Sequence, residues 1–547
     1  MRMPRASGIL LHPTSLPGPY GVGDLGPEVV EFLDFLKAAG QRWWQLLPLG
    51  PTGYGNSPYQ SYSSYAGNPL LISLDALKEK GLLSANDLEE YPKLSDVRVD
   101  FDAVAAAKEG MLRKAFQNFK PRPKGYKEFV EANGAWLQDY ALFRALKDSR
   151  QGSAWYDWEH ALAMREPEAL GRAREEVAET ADYYRFVQYV FAQQWKAVRE
   201  AGVSRGVGII GDLPIFVAPD SADVWARPDL FMLDARGRST FVAGVPPDYF
   251  ATTGQLWGNP LYKWDAHAAE KFAWWIARFK AQTDRVDLVR LDHFRGFEAY
   301  WEVPAGSATA EHGRWAKGPG TAFLEALKDG LGSLPIVAED LGEITAEVYA
   351  LRDRFELPGM RVMQFGLDGE PSSAFHLPYN YVNHCFAYTG THDNDTTEGW
   401  FHALPVGEPE SKARHQAERV YGRRILGATG EGVHWEAIRA VMASVADTAI
   451  IPLQDLLGLG SQARMNVPGL AEGNWCWRFK AGEISVEIAG RLADVTAVCG
   501  RWNGAIPPAY GPPSEMFKAA SLAEREPNSS AVKKKKAAVK GPAGKSK

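Results

Sequence analysis

Three apolar runs in this sequence end at or just before a carboxylate, and the residues around each carboxylate differ. In Val289-Arg290-Leu291-Asp292 an extended backbone puts Arg290 and Asp292 on one face, because they are two residues apart. A guanidinium there lowers the carboxyl pKa and keeps it ionised, as a nucleophile or an electrostatic stabiliser requires; an ordinary ion pair within a sheet would read the same way. The run Pro335-Ile336-Val337-Ala338-Glu339-Asp340 ends in two acids. Glu339, walled by apolar groups, is expected to have a raised pKa suited to a general acid, while Asp340, facing the other way, is expected to cap the next helix. The third segment, Tyr388-Thr389-Gly390-Thr391-His392-Asp393-Asn394-Asp395-Thr396, packs more hydrogen-bonding side chains into one turn than a structural loop needs.

Three carboxylates delivered to one mouth suit retaining glycoside chemistry. That chemistry needs two carboxyl groups about 5 to 5.5 Å apart, one attacking the anomeric carbon and the other protonating the leaving oxygen. A third can hold the distorted sugar. The competing reading is a metal-assisted hydrolase, with His392, Asp393 and Asp395 as ligands beside His293 or His384. Their spacing matches no established zinc or calcium loop. Aromatic residues tip the balance: Tyr54, Tyr59, Tyr249, Phe250 and Trp257 lie in Gly- and Pro-rich segments, where flat rings can pack against pyranose faces. Each ring taken alone can also be explained as packing of its own loop.

The elements that must position these groups are short apolar runs ending in polar residues. They are Ile9–His12, Trp44–Pro48, Gly208–Asp212, Leu288–Asp292, Ile336–Glu339, Met360–Phe365, Phe386–Thr389 and Thr448–Pro452. Amphipathic segments lie between many of them. In Glu28–Ala39, Val29, Phe32, Leu33 and Leu36 recur at helical spacing, Pro27 suits the first turn, and Gly40 suits the C-terminal cap. Eightfold strand–helix alternation predicts an α/β fold, a (β/α)8 TIM-type barrel, with no separate C-terminal β-domain. Its chemistry belongs at the strand C-terminal ends, which here carry His12, Asp212, Asp292, Glu339 and His392-Asp393.

The catalytic barrel is expected over residues 1–526. It includes a large, mainly helical insertion after the second strand, about 50–207, since the gap from Pro48 to Gly208 is far longer than a connecting loop. Residues 244–263 and 456–474 read as loops able to cover a cleft. Residues 527–547 read as a disordered lysine-rich tail.

Bulk properties narrow the partners. The chain has 547 residues, 45% of them hydrophobic, and its 18 Trp, 21 Tyr and 25 Phe make 12%. Its net charge is −6, yet residues 527–547 hold seven lysines and no acid, so the rest sums to −13. A body that acidic repels nucleic acid and anionic membranes, whereas a neutral sugar is indifferent to it. Cys385, Cys476 and Cys499 form no CxxC pair, and neither a disulfide framework nor a thiolate zinc site is expected. With no signal-peptide core and no long apolar run, a cytoplasmic location is expected.

Eight ordered blocks carry a resemblance: HPTSLPGPYGVGDLG (12–26), SPYQSYSSYAGNP (57–69), GDLPIFVAPDSADVW (211–225), TGQLWGNPLY (253–262), VRLDHFRG (289–296), AEDLG (338–342), GTHDNDT (390–396) and GLGSQARMNVPG (458–469). Together they resemble the 4-α-glucanotransferases, also called amylomaltases or disproportionating enzymes, of the α-amylase clan. The resemblance implies transfer of α-1,4-glucan segments through a covalent glucosyl-enzyme intermediate, without metal or organic cofactor. Asp292 would be the nucleophile, Glu339 the acid and then base, and Asp393 the group gripping the sugar at positions 2 and 3. Arg290, Asp212 and His392 would line the glucose unit at the point of cleavage, with Tyr59 stacked under it. Trp257, Asn466 and Ser57 would be further substrate contacts, and Tyr54 part of an outer glucan-binding surface. The implied partners are maltooligosaccharides and α-1,4-glucans, and the implied state is a monomer or weak homo-oligomer. A glucan hydrolase of the same clan and a non-catalytic glucan-binding barrel are the alternatives. Two features depart from the family pattern: the lysine-rich tail, and Phe216, where many relatives have tyrosine.

Overall fold

The computed structural model describes residues 3–247, 253–404, 409–428 and 432–507. Among them run twelve strands: β1 (Ala6–Leu10), β2 (Trp43–Gln45), β3 (Gly208–Leu213), β4 (Phe241–Val245), β5 (Gln255–Pro260), β6 (Leu288–Leu291), β7 (Ala299–Pro304), β8 (Arg314–Lys317), β9 (Ile336–Ala338), β10 (Gly359–Val362), β11 (Cys385–Tyr388) and β12 (Thr448–Pro452).

Eight of these form one sheet in the order β10-β11-β12-β1-β2-β3-β6-β9. Every hydrogen-bonded neighbour is parallel. The ends of the order meet: the Ala338 N–H donates to Pro358 O at 2.9 Å, which brings β9 to β10 and closes a (β/α)8 barrel. The strands are apolar on both faces because the barrel interior and the surrounding helices bury both; β1, β10, β11 and β12 are buried throughout. Gly8 belongs in β1 for a local reason: a Cβ there would lie 2.4 Å from Trp43 O on β2.

Asp340 does not cap a helix, as its place in the sequence suggested. It is fully buried, and its Oδ1 accepts from the Met360 N–H at 2.7 Å, while Oδ2 pairs with Arg352 and lies 3.5 Å from Arg361. The carboxylate thus pins β10 beside β9 at the closure. The next helix, Ala346–Arg354, has Thr345 at its N-cap instead. The sixth barrel strand is also shorter than its apolar run, since Met363–Gly366 turns into a single helical turn.

The first helix spans Pro27–Ala38, buries Val29, Phe32, Leu33 and Leu36, and stops where Gly40 takes φ +68°. Between β2 and β3 the chain is mainly helical, with Phe101–Asn118, Gly134–Ser149 and Ala178–Arg205 the longest members. Lys108 ties this helical segment to the barrel. Its buried ammonium donates to Asp24 Oδ2, Leu70 O and Ile72 O, each at 2.8 Å. Three acceptors satisfy all three of its protons.

The segment expected as a loop over 244–263 is instead structured at both ends. β4 and β5 pair antiparallel and join β7 and β8 in a second, four-stranded sheet, order β5-β4-β7-β8. Val242, Val303 and Ala310, with Trp301 against them, make its small separate core. The partner strand β7 lies about sixty positions further along the chain, so the local sequence does not announce this pairing. Tyr249 and Phe250, and the tail over 527–547, lie outside the described residues. Among the described residues no helix is long and apolar enough to cross a membrane.

Candidate active site

Strand register sets the first relation in the site. Asp212 on β3 pairs with Arg290 on β6, and Leu291 on β6 pairs with Ala338 on β9. Asp292 and Glu339 therefore leave adjacent strands at one level, at the C-terminal mouth of the barrel. Backbone bonds keep them there: the Asp292 N–H donates to Leu213 O, and the Glu339 N–H to Leu291 O, both at 3.1 Å.

The Glu339 carboxylate is oriented by two peptides. Its Oε2 accepts from the His293 N–H at 2.7 Å, and its Oε1 from the Leu341 N–H at 2.9 Å. His293 reaches it because its backbone is left-handed, φ 52° and ψ 50°, a conformation that side-chain-bearing residues adopt at some cost and that clusters at functional sites. The same turn sets the His293 ring edge-to-face with Trp257, centroids 4.8 Å apart. Phe216 stacks on Tyr262 and sits 6.4 Å from Trp257, so the departure from the family pattern leaves an apolar wall beside this pair.

Arg290 is buried and shared. Its Nη1 lies 2.9 and 2.8 Å from the two oxygens of Asp212, and 3.0 Å from Asp292 Oδ1. Tyr59 completes the floor: its hydroxyl donates to Asp212 Oδ2 at 2.8 Å and lies 3.0 Å from His392 Nε2. The Tyr59 and His392 rings stack with centroids 5.3 Å apart and planes 18° from parallel.

Electrostatics follow from one cation serving several acids. Removal from water pushes Asp292 up to about 8; Arg290 opposes this, while Asp212, Glu339 and Asp393 add to it. The expectation that Arg290 lowers the Asp292 pKa is therefore corrected: burial outweighs the guanidinium, which Asp212 also engages. Burial raises Glu339 as well, against Arg290 and the two amide donors. Two carboxyls this close titrate as a pair, and the first ionisation hinders the second. Arg290, 3.0 Å from Asp292 Oδ1, is the cation that opposes the rise at both carboxyls. Burial also lowers His293 and His12, each to about 3, and lowers His392, so these imidazoles are neutral walls.

Asp393 follows β11 in a turn braced from within: Asn394 Oδ1 accepts from the Thr391 N–H and hydroxyl at 2.9 and 3.0 Å. Its side chain is 45% exposed, open to the cleft. Asn466 Nδ2 donates to Asp393 Oδ1 at 2.6 Å, and His392 Nε2 lies 3.4 Å from the same oxygen.

One cluster thus joins Tyr59, Asp212, Arg290, Asp292, Glu339, His392, Asp393 and Asn466, with Trp257 reaching it through His293. Two expected contacts stand apart. Tyr54 is 77% exposed, with none of the residues of that cluster among its hydrogen-bond partners. Ser57 accepts from the Tyr59 N–H at 3.2 Å, ordering the turn that presents Tyr59. Of the residues considered as metal ligands, Asp395 Oδ2 accepts from Ser461 Oγ at 2.6 Å, and His384 Nε2 sits 2.9 Å from Glu356 O. Among the described residues no group of three potential metal ligands converges.

Two members of the site were not singled out from the sequence. Trp475 lies 5.9 Å from the Tyr59 ring and 6.0 Å from His392, walling both. Arg464 donates through Nη2 to Asp393 O at 2.6 Å and through Nε to Asn466 O at 2.8 Å. Arg464 falls in the block 458–469, but nothing in that block says which carbonyls it meets.

Comparison with known proteins places this geometry. The family model for 4-alpha-glucanotransferase matches residues 11–484. The 4-alpha-glucanotransferase of Synechocystis sp. is 49% identical over 506 residues, 91% of this chain and 98% of that protein. The 4-alpha-glucanotransferase of Thermus thermophilus is 50% identical over 499 residues, 90% of this chain and 98% of the relative. Among solved structures, an amylomaltase from Streptococcus agalactiae in complex with acarbose superposes with a TM-score of 0.86 at 37% identity, covering 91% of this chain and all of that one.

Proposed function

The chain belongs to the 4-alpha-glucanotransferase family, and from that premise we propose how its own residues carry out transfer on maltooligosaccharides and linear α-1,4-glucans. A carboxylate oxygen of Asp292 attacks the anomeric carbon as the bond from that carbon to the leaving oxygen breaks. Glu339 gives its proton to that oxygen, which departs as the 4-hydroxyl of the released glucan. An acceptor 4-hydroxyl then attacks the same carbon, Glu339 takes back the proton, and the Asp292 ester bond breaks. Two inversions retain the α configuration.

The observation that carries this reading is the β6–β9 register. Leu291 faces Ala338, and neighbouring strands run about 4.8 Å apart, so the two following carboxylates start from the short separation that retaining chemistry requires. In this reading the charge of the pair sits on the nucleophile, whose Oδ1 lies 3.0 Å from Arg290, and the proton sits on the acid. Asp393 holds the 2- and 3-hydroxyls, Arg290, Asp212 and His392 line the glucose being transferred, and Tyr59 stacks beneath it. Trp257, Asn466 and Ser57 serve neighbouring glucose units, and Tyr54 offers an outer ring to a longer chain. The β4–β5 hairpin and the 456–474 segment shield the covalent intermediate, so that a sugar hydroxyl reaches it in preference to water. The enzyme is taken to act in the cytoplasm, as a monomer or weak homo-oligomer.

A time course on pure maltotriose tests the reading: transfer yields oligosaccharides longer than the substrate, whereas hydrolysis yields only glucose and maltose. Asp292→Asn is expected to abolish turnover, and Glu339→Gln to lower it by about 10²- to 10⁴-fold. Near-normal turnover in either variant would refute the assignment.

A further inference from the structure

The 456–474 segment is bonded to the Asp393 turn along its length. Ser461 Oγ donates to Asp395 Oδ2 at 2.6 Å, the Asn466 N–H donates to His392 O at 3.1 Å, and Asn466 Nδ2 donates to Asp393 Oδ1 at 2.6 Å. Arg464 sits at the junction. Its guanidinium takes the carbonyl of Asp393 through Nη2 and the carbonyl of Asn466 through the adjacent Nε, at 2.6 and 2.8 Å. We propose that Arg464 is a positioning residue for the transfer reaction, fixing the peptides of Asp393 and Asn466 so that the Asp393 carboxylate stays aimed at the sugar. This inference rests on the role proposed for Asp393.

The argument is one of freedom and geometry. The Asp393 side chain is 45% exposed, so packing does not hold it. Its aim is set by its own backbone, by the Asn466 amide at 2.6 Å and, less closely, by His392 Nε2 at 3.4 Å. Asn466 is only as steady as its own peptide, and that peptide lies on a different loop, 73 positions along the chain. A guanidinium is a rigid planar fork with donors at fixed angles, able to bind two carbonyls at once and set their separation; an ammonium is a single point donor that cannot. Arg464 thereby locks to each other the two peptides whose side chains meet at the 2.6 Å contact. Letting them drift by about 1 Å is enough to lose roughly a hundredfold in rate.

A double-mutant cycle separates positioning from general structural support. The variants are Arg464→Met, Asp393→Asn and the pair, assayed with an α-maltotriosyl fluoride donor, whose fluoride leaves without a proton and keeps slow variants measurable. Arg464→Met is expected to lower kcat by about 30- to 100-fold, with KM within about twofold and thermal unfolding unchanged. In the Asp393→Asn background the same change is expected to lower kcat by less than about threefold, because a residue acting through Asp393 has nothing left to position. Arg464→Lys, which keeps the charge and loses the fork, should fall between and serves in the cycle if the methionine variant does not fold. Full additivity, with Asp393→Asn itself crippled, overturns this inference alone. Near-normal turnover by Asp393→Asn overturns the role of Asp393 and the inference with it.

Discussion

Replacing Asp292, the proposed nucleophile, should stabilise this protein, by an amount that depends on pH. Asp292 and Glu339 are both pushed up on folding, Asp292 to about 8 from a usual value of 3.8. A carboxylate whose pKa is raised on folding adds stability that is fully present below its unfolded pKa and is lost as pH rises through the folded one. The window is therefore about pH 4 to 8. Within it the folded pair binds about one proton more than the unfolded chain, which removes about 1.4 kcal/mol of stability per pH unit at most. From pH 5 to 7 the ceiling is about 2.7 kcal/mol. Water reaching the Asp292 side chain, 27% exposed, and the nearby Arg290 charge reduce this to about 1 kcal/mol. Asp292→Asn keeps the shape, removes the charge and leaves Arg290 paired with Asp212. Its Tm should match the wild type near pH 4.5 and exceed it by about 1–2 °C at pH 7, with the gap levelling off above pH 8. Calorimetry of both proteins at half-unit steps from pH 4.5 to 8.5 measures it. A gap independent of pH, or a variant less stable than wild type at pH 7, would refute the claim that folding concentrates unfavourable charge at Asp292.

Two further substitutions probe the scaffold and the floor of the site. Asp340→Asn leaves Arg352 and Arg361 without the buried carboxylate they share at the barrel closure and should destabilise the fold by about 3 kcal/mol, read as a lower urea midpoint at unchanged slope. Tyr59→Phe removes the hydroxyl that donates to Asp212 at 2.8 Å while keeping the ring on His392, and should lower kcat/KM on maltotriose about tenfold with unfolding unaltered.

The barrel was legible because its signal is local. Each strand is an apolar run buried on both faces, so hydropathy alone marks it, and the helix Pro27–Ala38 shows its buried stripe and its Gly40 stop within fourteen residues. The four-stranded sheet was not legible: Gly- and Pro-rich text over 244–263 hides strands that exist only because β7 pairs with β4. Asp340 was misjudged for a related reason. A buried acid after a strand looks the same whether it meets a helix amide or, as here, the Met360 amide across the barrel seam.

The site divides along the same line. Residue type and position in the sequence were enough to name three carboxylates at strand ends and to suggest glycoside chemistry, because a strand's C-terminal end in a barrel is a mouth whatever else the fold does. Which carboxylate keeps a proton, and what holds each one still, depended on groups far apart in the chain. Asp212 reaches across 78 positions to occupy Arg290, and the 456–474 segment returns to grip Asp393 through Asn466 and Arg464. Charge interaction and hydrogen bonding fall off within a few ångströms, so only the folded chain determines which groups lie within that range.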